Sequence, residues 1–324
     1  MRSIFVTKFG GPDVLKMSDA PIPEPKESQV RIKVEACGLN YADIMQREGL
    51  YPNGPKPPFG AGFDVSGVID AVGADATEWK VGDAVCGFCE NGYSDYVTTE
   101  VTRIMPKPAS LDFQQAAAIP CQYLSAYHTL VTLSGVKEGQ FVLLQAAAGG
   151  LGTLMVQIAK NLGAKVIGTC STDEKCQYLE ELGCDFPINY SKRDFAAEAK
   201  RITGGAGCDL IVDSIGGEIF DKSLRCLKPR GRLVAIGLAG KQPNTVTTLQ
   251  LLTNNFTVSG FHLMTYVSDA EAMFRAIQDL EKWLSAGTLK IVVRHVFPLE
   301  QAAEAQKFVA ERKSSGKVVL VTAG

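Results

Sequence analysis

Apolar residues fall at every second position from Val30 to Ala36, alternating with Gln29, Arg31, Lys33 and Glu35. That alternation predicts a strand buried on one face. "DVSGVIDAVG" and "VGDAVCGF" are shorter apolar runs closed by Gly and Asp turns, and 52–58 holds four prolines in seven residues, a stiff loop. Short strands and frequent turns predict a β-rich unit in the amino-terminal third of the chain.

The rhythm changes after residue 124. Apolar runs at 141–145, 165–170, 186–190, 210–214, 232–237 and 256–261 alternate with helical patterns. Leu154, Ile158 and Leu162 recur at helical spacing between the first two runs; Cys176, Leu179 and Leu182 do so between the next two. Alternating strand and helix predicts a parallel sheet covered on both faces, and six strands is the doubly wound count. Beyond 261 the pattern predicts a helix over 269–286, the strand "IVVRHVFPL", the helix "EQAAEAQKFVAERK" and the strand "KVVLVT". These elements do not continue the alternation. The expected division is a split domain, 1–124 with 262–324, around an inserted domain, 125–261.

Small and apolar residues run from Val142 to Ala159, near the length of a membrane-spanning helix. Gly149, Gly150 and Gly152 break it into strand, turn and helix, with the helix expected from Thr153. Ala147-Ala148-Gly149-Gly150-Leu151-Gly152 is a G-x-G-x-x-G pattern with alanine first. Small residues let the backbone approach a pyrophosphate, and the helix start offers unpaired N–H groups to it. Ala148, Gly149, Gly150, Leu151 and Gly152 are thus candidate dinucleotide contacts; the plainer reading is a turn that packs helix on strand. At the end of the second strand an NAD site usually carries an acidic residue. Here Ser171 and Lys175 stand there instead, suited to a 2′-phosphate, so NADPH is the expected coenzyme. Ser171 can equally cap the next helix with Glu174, Lys175 can be an ordinary solvated lysine, and Asp173 lies close enough to oppose a phosphate.

Composition narrows the function classes. The chain has 324 residues, 46% hydrophobic and 21% charged, with a formal charge of −2. That balance gives no basic surface for nucleic acid or anionic membrane, and neither partner is expected. The nine cysteines are scattered, as for reduced thiols. Met1–Lys8 has no long apolar stretch, so no targeting segment and a cytoplasmic location are expected.

The stretches "ACGLNYADIMQREGLYP", "GFDVSGVIDAVG", "VGDAV", "QAAAGGLGTLMVQIAK", "GAKVIGT", "DSIGG", "LKPRGRLVAIG" and "GKVVLV" carry a resemblance over essentially the whole chain. The sequence resembles the zinc-free quinone-oxidoreductase (zeta-crystallin-like) branch of the medium-chain dehydrogenase/reductase superfamily. The resemblance implies an α/β fold in which a Rossmann doubly wound parallel sheet is inserted in a GroES-like β-rich catalytic domain. Zinc members of the superfamily hold their metal at positions that here are Asn40, Phe63 and Cys121. One ligand of three is retained, so no metal is expected. Cys86 and Cys89 form a C-x-x-C without a second pair close behind.

The implied activity is NADPH-dependent reduction of a quinone or α,β-unsaturated carbonyl by hydride transfer, in a homodimer. The implied catalytic residues are Asn40, whose amide donates to a carbonyl oxygen, and Tyr51, a proton donor in related enoyl-thioester reductases. Asn40 and Tyr41 are implied beside the nicotinamide, with Ser125 and His128 at the same end. Tyr190 resembles a tyrosine beside the adenosine phosphate. Ile215, Gly237, Leu238, Phe261 and Leu263 match loops over the coenzyme, and Lys317 is implied to reach it. Several have a plainer reading: a turn asparagine for Asn40, a surface aromatic for Tyr51, a packing histidine for His128, a strand-end aromatic for Tyr190 and a solvated lysine for Lys317. Two alternatives to the quinone or enone reductase stand beside it: a non-catalytic NADPH-binding sensor or scaffold, and an enoyl-thioester reductase.

Overall fold

The computed structural model describes residues 1–322. The chain divides into two compact units, Met1–Tyr123 together with the stretch from Ile291 onward, and Leu124–Lys290.

In the first unit the strand Gln29–Leu39 is central. Val30, Ile32, Val34 and Ala36 are all buried, the face that their alternation predicted. It pairs antiparallel with Asp64–Val72, Tyr96–Glu100 and the carboxyl-terminal strand Lys317–Val321, in a seven-stranded sheet. In the last pairing Val318 faces Leu39 and Val321 faces Ala36, which sets Lys317 beside the end of the central strand. A small sheet of Arg2–Val6, Leu15–Asp19 and Phe59–Gly60 packs its apolar side chains into the same core. The helix Tyr41–Glu48 starts two residues after the central strand, with Asn40 as its cap residue.

The second unit holds a six-stranded parallel sheet. In chain order its strands are Phe141–Leu144, Lys165–Cys170, Phe186–Asn189, Cys208–Asp213, Leu227–Ala235 and Thr257–Gly260. Across the sheet they run third, second, first, fourth, fifth, sixth. That is the Rossmann order, with its reversal between Phe141–Leu144 and Cys208–Asp213. Leu143 pairs with Ile167 on one side and Ile211 on the other, all fully buried. Two-sided burial explains why these strands read as continuous apolar runs.

The second junction differs from the sequence expectation. The helix Ala270–Ser285 stands with the parallel-sheet unit, and the boundary falls after Lys290, not after 261. Ala272, Ala276, Leu280 and Trp283 form its buried stripe. Tyr127 Oη donates to Asp279 Oδ2 over 2.7 Å, and Gln157 exchanges two hydrogen bonds with the Lys290 backbone. Those contacts are tertiary and leave no mark on local periodicity. Among the described residues no helix is long and apolar enough to cross a membrane.

Candidate functional site

The glycine turn follows the first parallel strand at the sheet's reversal. Ala146 takes the left-handed conformation, φ 52°, and Ala147 N–H donates to Thr169 O over 2.9 Å. The positive φ therefore falls one residue before the first motif position, and an alanine is tolerated there. Gly149 is the cap residue and the helix runs Gly150–Asn161. The helix thus begins three residues earlier than expected; Gly150, Leu151 and Gly152 are its first turn. A Cβ on Gly152 would stand 2.5 Å from Ala147 O and 2.6 Å from Ala146 O. Only glycine lets the helix start lie this close to the turn. Unpaired first-turn N–H groups and the helix dipole make this an anion site.

At the end of the second strand, Thr172 caps the helix Asp173–Glu181 through a bond from Lys175 N–H to its hydroxyl, 3.2 Å. Ser171 is not the cap, which corrects the S-x-x-E reading: the chain turns one residue later. Lys175 is half-buried, and burial pulls its ammonium below the usual lysine value. Asp173 is paired: Asn189 Nδ2 donates to it over 2.7 Å and Lys192 forms an ion pair with it. Lys192 and Arg193, on the loop after the third strand, add cations to this edge that the sequence reading missed. Tyr190, on the same loop, is exposed, and its N–H donates to Cys170 O over 3.0 Å.

Three further loops gather at the carboxyl ends of the later strands. Asp213 Oδ1 accepts from Ile215 N–H at 2.6 Å and Gly216 N–H at 3.1 Å. Ala239 and Gly240 N–H donate to Ser214 O and Ile215 O, which ties Gly237 and Leu238 to Ile215. Phe261 N–H donates to Ala235 O. Its ring stacks on Tyr266, which stacks on His128, with centroids 5.2 and 5.3 Å apart. Leu263, Ser125 and His128 are buried. His128 bonds Thr132 Oγ1 at 3.0 Å, and burial pushes its pKa down to about 4. The ring is neutral and packed against Tyr266 in this arrangement.

The first unit carries a buried polar cluster. Lys317 is 2% exposed, which removes the solvated-lysine reading. Its Nζ donates to Asn40 Oδ1 over 3.0 Å and lies 3.7 Å from Asp64 Oδ2. Asn40 Nδ2 donates to Asp64 Oδ2 over 2.8 Å and reaches Gly38 O at 3.4 Å. The amide is thereby committed, and the expectation that it donates to a substrate carbonyl is revised: Asn40 bridges a buried acid and a buried base. Asn40 N–H donates to Asp43 Oδ2 over 2.8 Å, and Tyr93 Oη does so over 2.9 Å. Burial pushes Asp43 up to about 7, against the pull of those bonds, and Asp64 up to about 6, against Lys317. Burial also lowers Lys317, while Asp64 opposes that. Tyr51 is partly buried near Cys121 and Asp43, and burial raises its phenol above the usual value. Tyr41 sits in the first turn of the helix after Asn40.

Asp43, Asp64, Tyr93 and Arg47 are the members sequence reasoning missed. Arg47 is buried, with Nη1 donating to Gln306 at 2.8 Å and Nε to Gly10 O at 3.0 Å. The N-x-x-D spacing of Asn40 and Asp43 was the available signal, since it suits a helix start.

Residues 26–120 match the alcohol dehydrogenase GroES-like domain, and 150–279 the family described as zinc-binding dehydrogenase. A 2-haloacrylate reductase from a Burkholderia species is 35% identical over 326 residues, covering 98% of this chain and 97% of that protein. The zebrafish synaptic vesicle membrane protein VAT-1 homolog is 34% identical over 340 residues, covering 99% of this chain and 70% of its own length. Escherichia coli quinone oxidoreductase, solved in complex with NADPH, superposes with a TM-score of 0.94 at 31% identity, covering 99% of this chain and all of that one. The chain belongs to the zinc-free quinone-oxidoreductase branch of the medium-chain dehydrogenase/reductase superfamily.

One matching family's description includes zinc, which needs three protein donors at a catalytic site. Asn40 and Phe63 stand at two of the three ligand positions, and Asn40 is held by Lys317 and Asp64. Among the described residues, no three His, Cys, Asp or Glu side chains gather as a metal site. This donor set does not fit a catalytic zinc.

Proposed function

We infer that the protein is an NADPH-dependent oxidoreductase that reduces quinones or α,β-unsaturated carbonyl compounds without zinc. The observation that carries this is the closeness of the helix start at Gly150 to the turn at Ala146–Ala147, where Gly152 has no room for a Cβ. Gly149, Gly150, Leu151 and Gly152 would hold the diphosphate, with Ala148 at the turn. Ser171 and Lys175 would hold the 2′-phosphate, beside Lys192 and Tyr190. The pairing of Asp173 with Lys192 and Asn189 supports NADPH over NADH, because it offsets the negative charge of Asp173 beside that position.

NADPH, when bound, supplies a hydride. The chain's part is to hold an acceptor carbonyl or quinone oxygen and deliver a proton. Tyr51 is the proton donor in this reading: its raised pKa keeps the phenol protonated at neutral pH. Asn40, fixed by Lys317 and Asp64, is a positioning residue. Ser125, His128, Ile215, Gly237, Leu238, Phe261 and Leu263 would surround the coenzyme in this reading, and Tyr41 and Lys317 keep the role that the resemblance implies. The name of the Burkholderia relative, a 2-haloacrylate reductase, denotes an acceptor with an activated double bond, which supports the enone class. A homodimer is part of the proposal: the last strand, Thr257–Gly260, ends the sheet order, and Leu249 and Leu252 lie exposed on the helix before it.

The test is NADPH oxidation with 1,4-benzoquinone, 9,10-phenanthrenequinone and a small enone, with and without a zinc chelator. Turnover of at least one acceptor, unchanged by the chelator, is the expected result. Tight NADPH binding with no turnover on all three would favour a non-catalytic sensor or scaffold. Lys175→Glu should weaken NADPH specifically; tighter binding of NADH than NADPH by the unmodified protein would sink the coenzyme assignment.

A further inference from the structure

Two of the nine cysteines are neighbours across the proposed 2′-phosphate loop. Cys170 Sγ, at the end of the second parallel strand, lies 3.0 Å from Cys176 Sγ, in the first turn of the helix Asp173–Glu181. Cys170 is 3% exposed, whereas Cys176 is partly open to solvent. Ser171 and Lys175 lie between them in sequence. A disulfide has an S–S distance near ~2.05 Å, so closure moves the sulfurs together by about 1 Å.

We propose that Cys170 and Cys176 form a reversible disulfide on exposure to a hydroperoxide, and that this bond weakens NADPH by constraining the loop that carries Ser171 and Lys175. The coenzyme half of this rests on the function proposed above. The chemistry balances in two steps. The Cys176 sulfur attacks one peroxide oxygen, breaking the O–O bond; the sulfur is oxidised to a sulfenic acid, and the thiol proton leaves with the other oxygen as water. The Cys170 sulfur then displaces the sulfenic oxygen, forming the S–S bond and releasing a second water. Two thiols lose two hydrogens and one hydrogen peroxide becomes two waters.

The order of attack follows from the surroundings. Burial, and next the bond to Cys176, raise the Cys170 thiol well above the usual thiol range. Cys170 is therefore the protonated partner, and Cys176, the one partly open to solvent, meets the oxidant first. Closure also acts on the loop directly. In the reduced protein Cys170 Sγ contacts Thr172 O at 3.5 Å, and Thr172 caps the helix through Lys175 N–H. A ring through residues 170–176 removes that thiol donor and restricts every backbone torsion of the phosphate loop. NADH, which lacks the 2′-phosphate, should be affected little.

Mass spectrometry reads the bond independently of any coenzyme. The protein is treated with a small excess of hydrogen peroxide, blocked with N-ethylmaleimide and cut with trypsin. Cleavage after Lys175 places the two cysteines on separate peptides, 166–175 and 176–192, so the bond appears as a cross-link. Cys184 shares the second peptide, and fragmentation distinguishes it. Calorimetric titration of reduced and oxidised protein then reads the coupling. The expected result is a Cys170–Cys176 cross-link and NADPH binding weakened about tenfold, the loss of roughly one charge-assisted contact. Dithiothreitol should restore affinity, Cys176→Ser should abolish both effects, and Cys184→Ser should retain both. A sulfinic acid at Cys176, a Cys176–Cys184 bond, or a Cys170–Cys176 bond with unchanged NADPH affinity overturns the proposal. Reduced protein that binds no NADPH overturns the coenzyme reading and the coupling with it, while the cross-link is judged on its own.

Discussion

Lys317 Nζ donates to Asn40 Oδ1 over 3.0 Å, joining the start of the last strand to the turn between the central strand and its helix. Asp64 completes the group at 3.7 Å from the same ammonium. A charge this deeply buried is tolerated only with its partners in place. Lys317→Met should therefore cost about 3 kcal/mol by leaving Asp64 uncompensated. Adding Asp64→Asn should recover much of that loss, as read by urea unfolding at neutral pH. Equal instability of the single and double variants would show that the pair is not the reason.

Gly38 makes room for this lysine. A Cβ there would stand 2.2 Å from Ala117 O and 2.8 Å from Lys317 Nζ. The first contact is with backbone and cannot be relieved by a rotamer change. Gly38→Ala should destabilise the protein by roughly 2 kcal/mol or more, measured as a fall in the urea midpoint.

At the coenzyme turn, Gly152→Ala should push the helix start away from Ala146 and Ala147. Binding of NADPH should weaken about tenfold or more, because the first-turn N–H groups lose their approach to the diphosphate. Titration calorimetry measures this, and an unchanged Kd would remove the turn from the binding site.

Tyr51→Phe deletes the proposed proton donor and leaves the ring. The expected effect is a fall in kcat of about a hundredfold with KM nearly unchanged. If kcat is unaffected, the proton comes from elsewhere.

His128 couples stability to pH. Its folded pKa of about 4 lies below the unfolded value near ~6.5, so its contribution is full above the unfolded value and is lost as the pH falls through the folded one. The loss approaches about 3 kcal/mol once the pH is below 4. His128→Phe, which keeps a ring against Tyr266, should show a shallower fall in the urea midpoint between pH 7 and 4.5 than the unmodified protein.

The chain itself determined the strands, the helices and the glycine turn. Val30 to Ala36 show period two, the parallel strands are unbroken apolar runs, and the spacing of Ala147 to Gly152 is written in consecutive residues. Each is a local pattern, set by side-chain periodicity or by backbone freedom over a few positions. Tertiary structure decided the rest. It put the helix over 270–285 with the parallel sheet, moved the cap from Ser171 to Thr172, and buried Lys317 between Asn40 and Asp64. It also paired Cys170 with Cys176 and Asp173 with Lys192. None of these can be read from spacing, because a buried polar group takes whatever partner the packed chain brings within hydrogen-bond reach, and that partner can lie 277 residues away, as Lys317 does from Asn40.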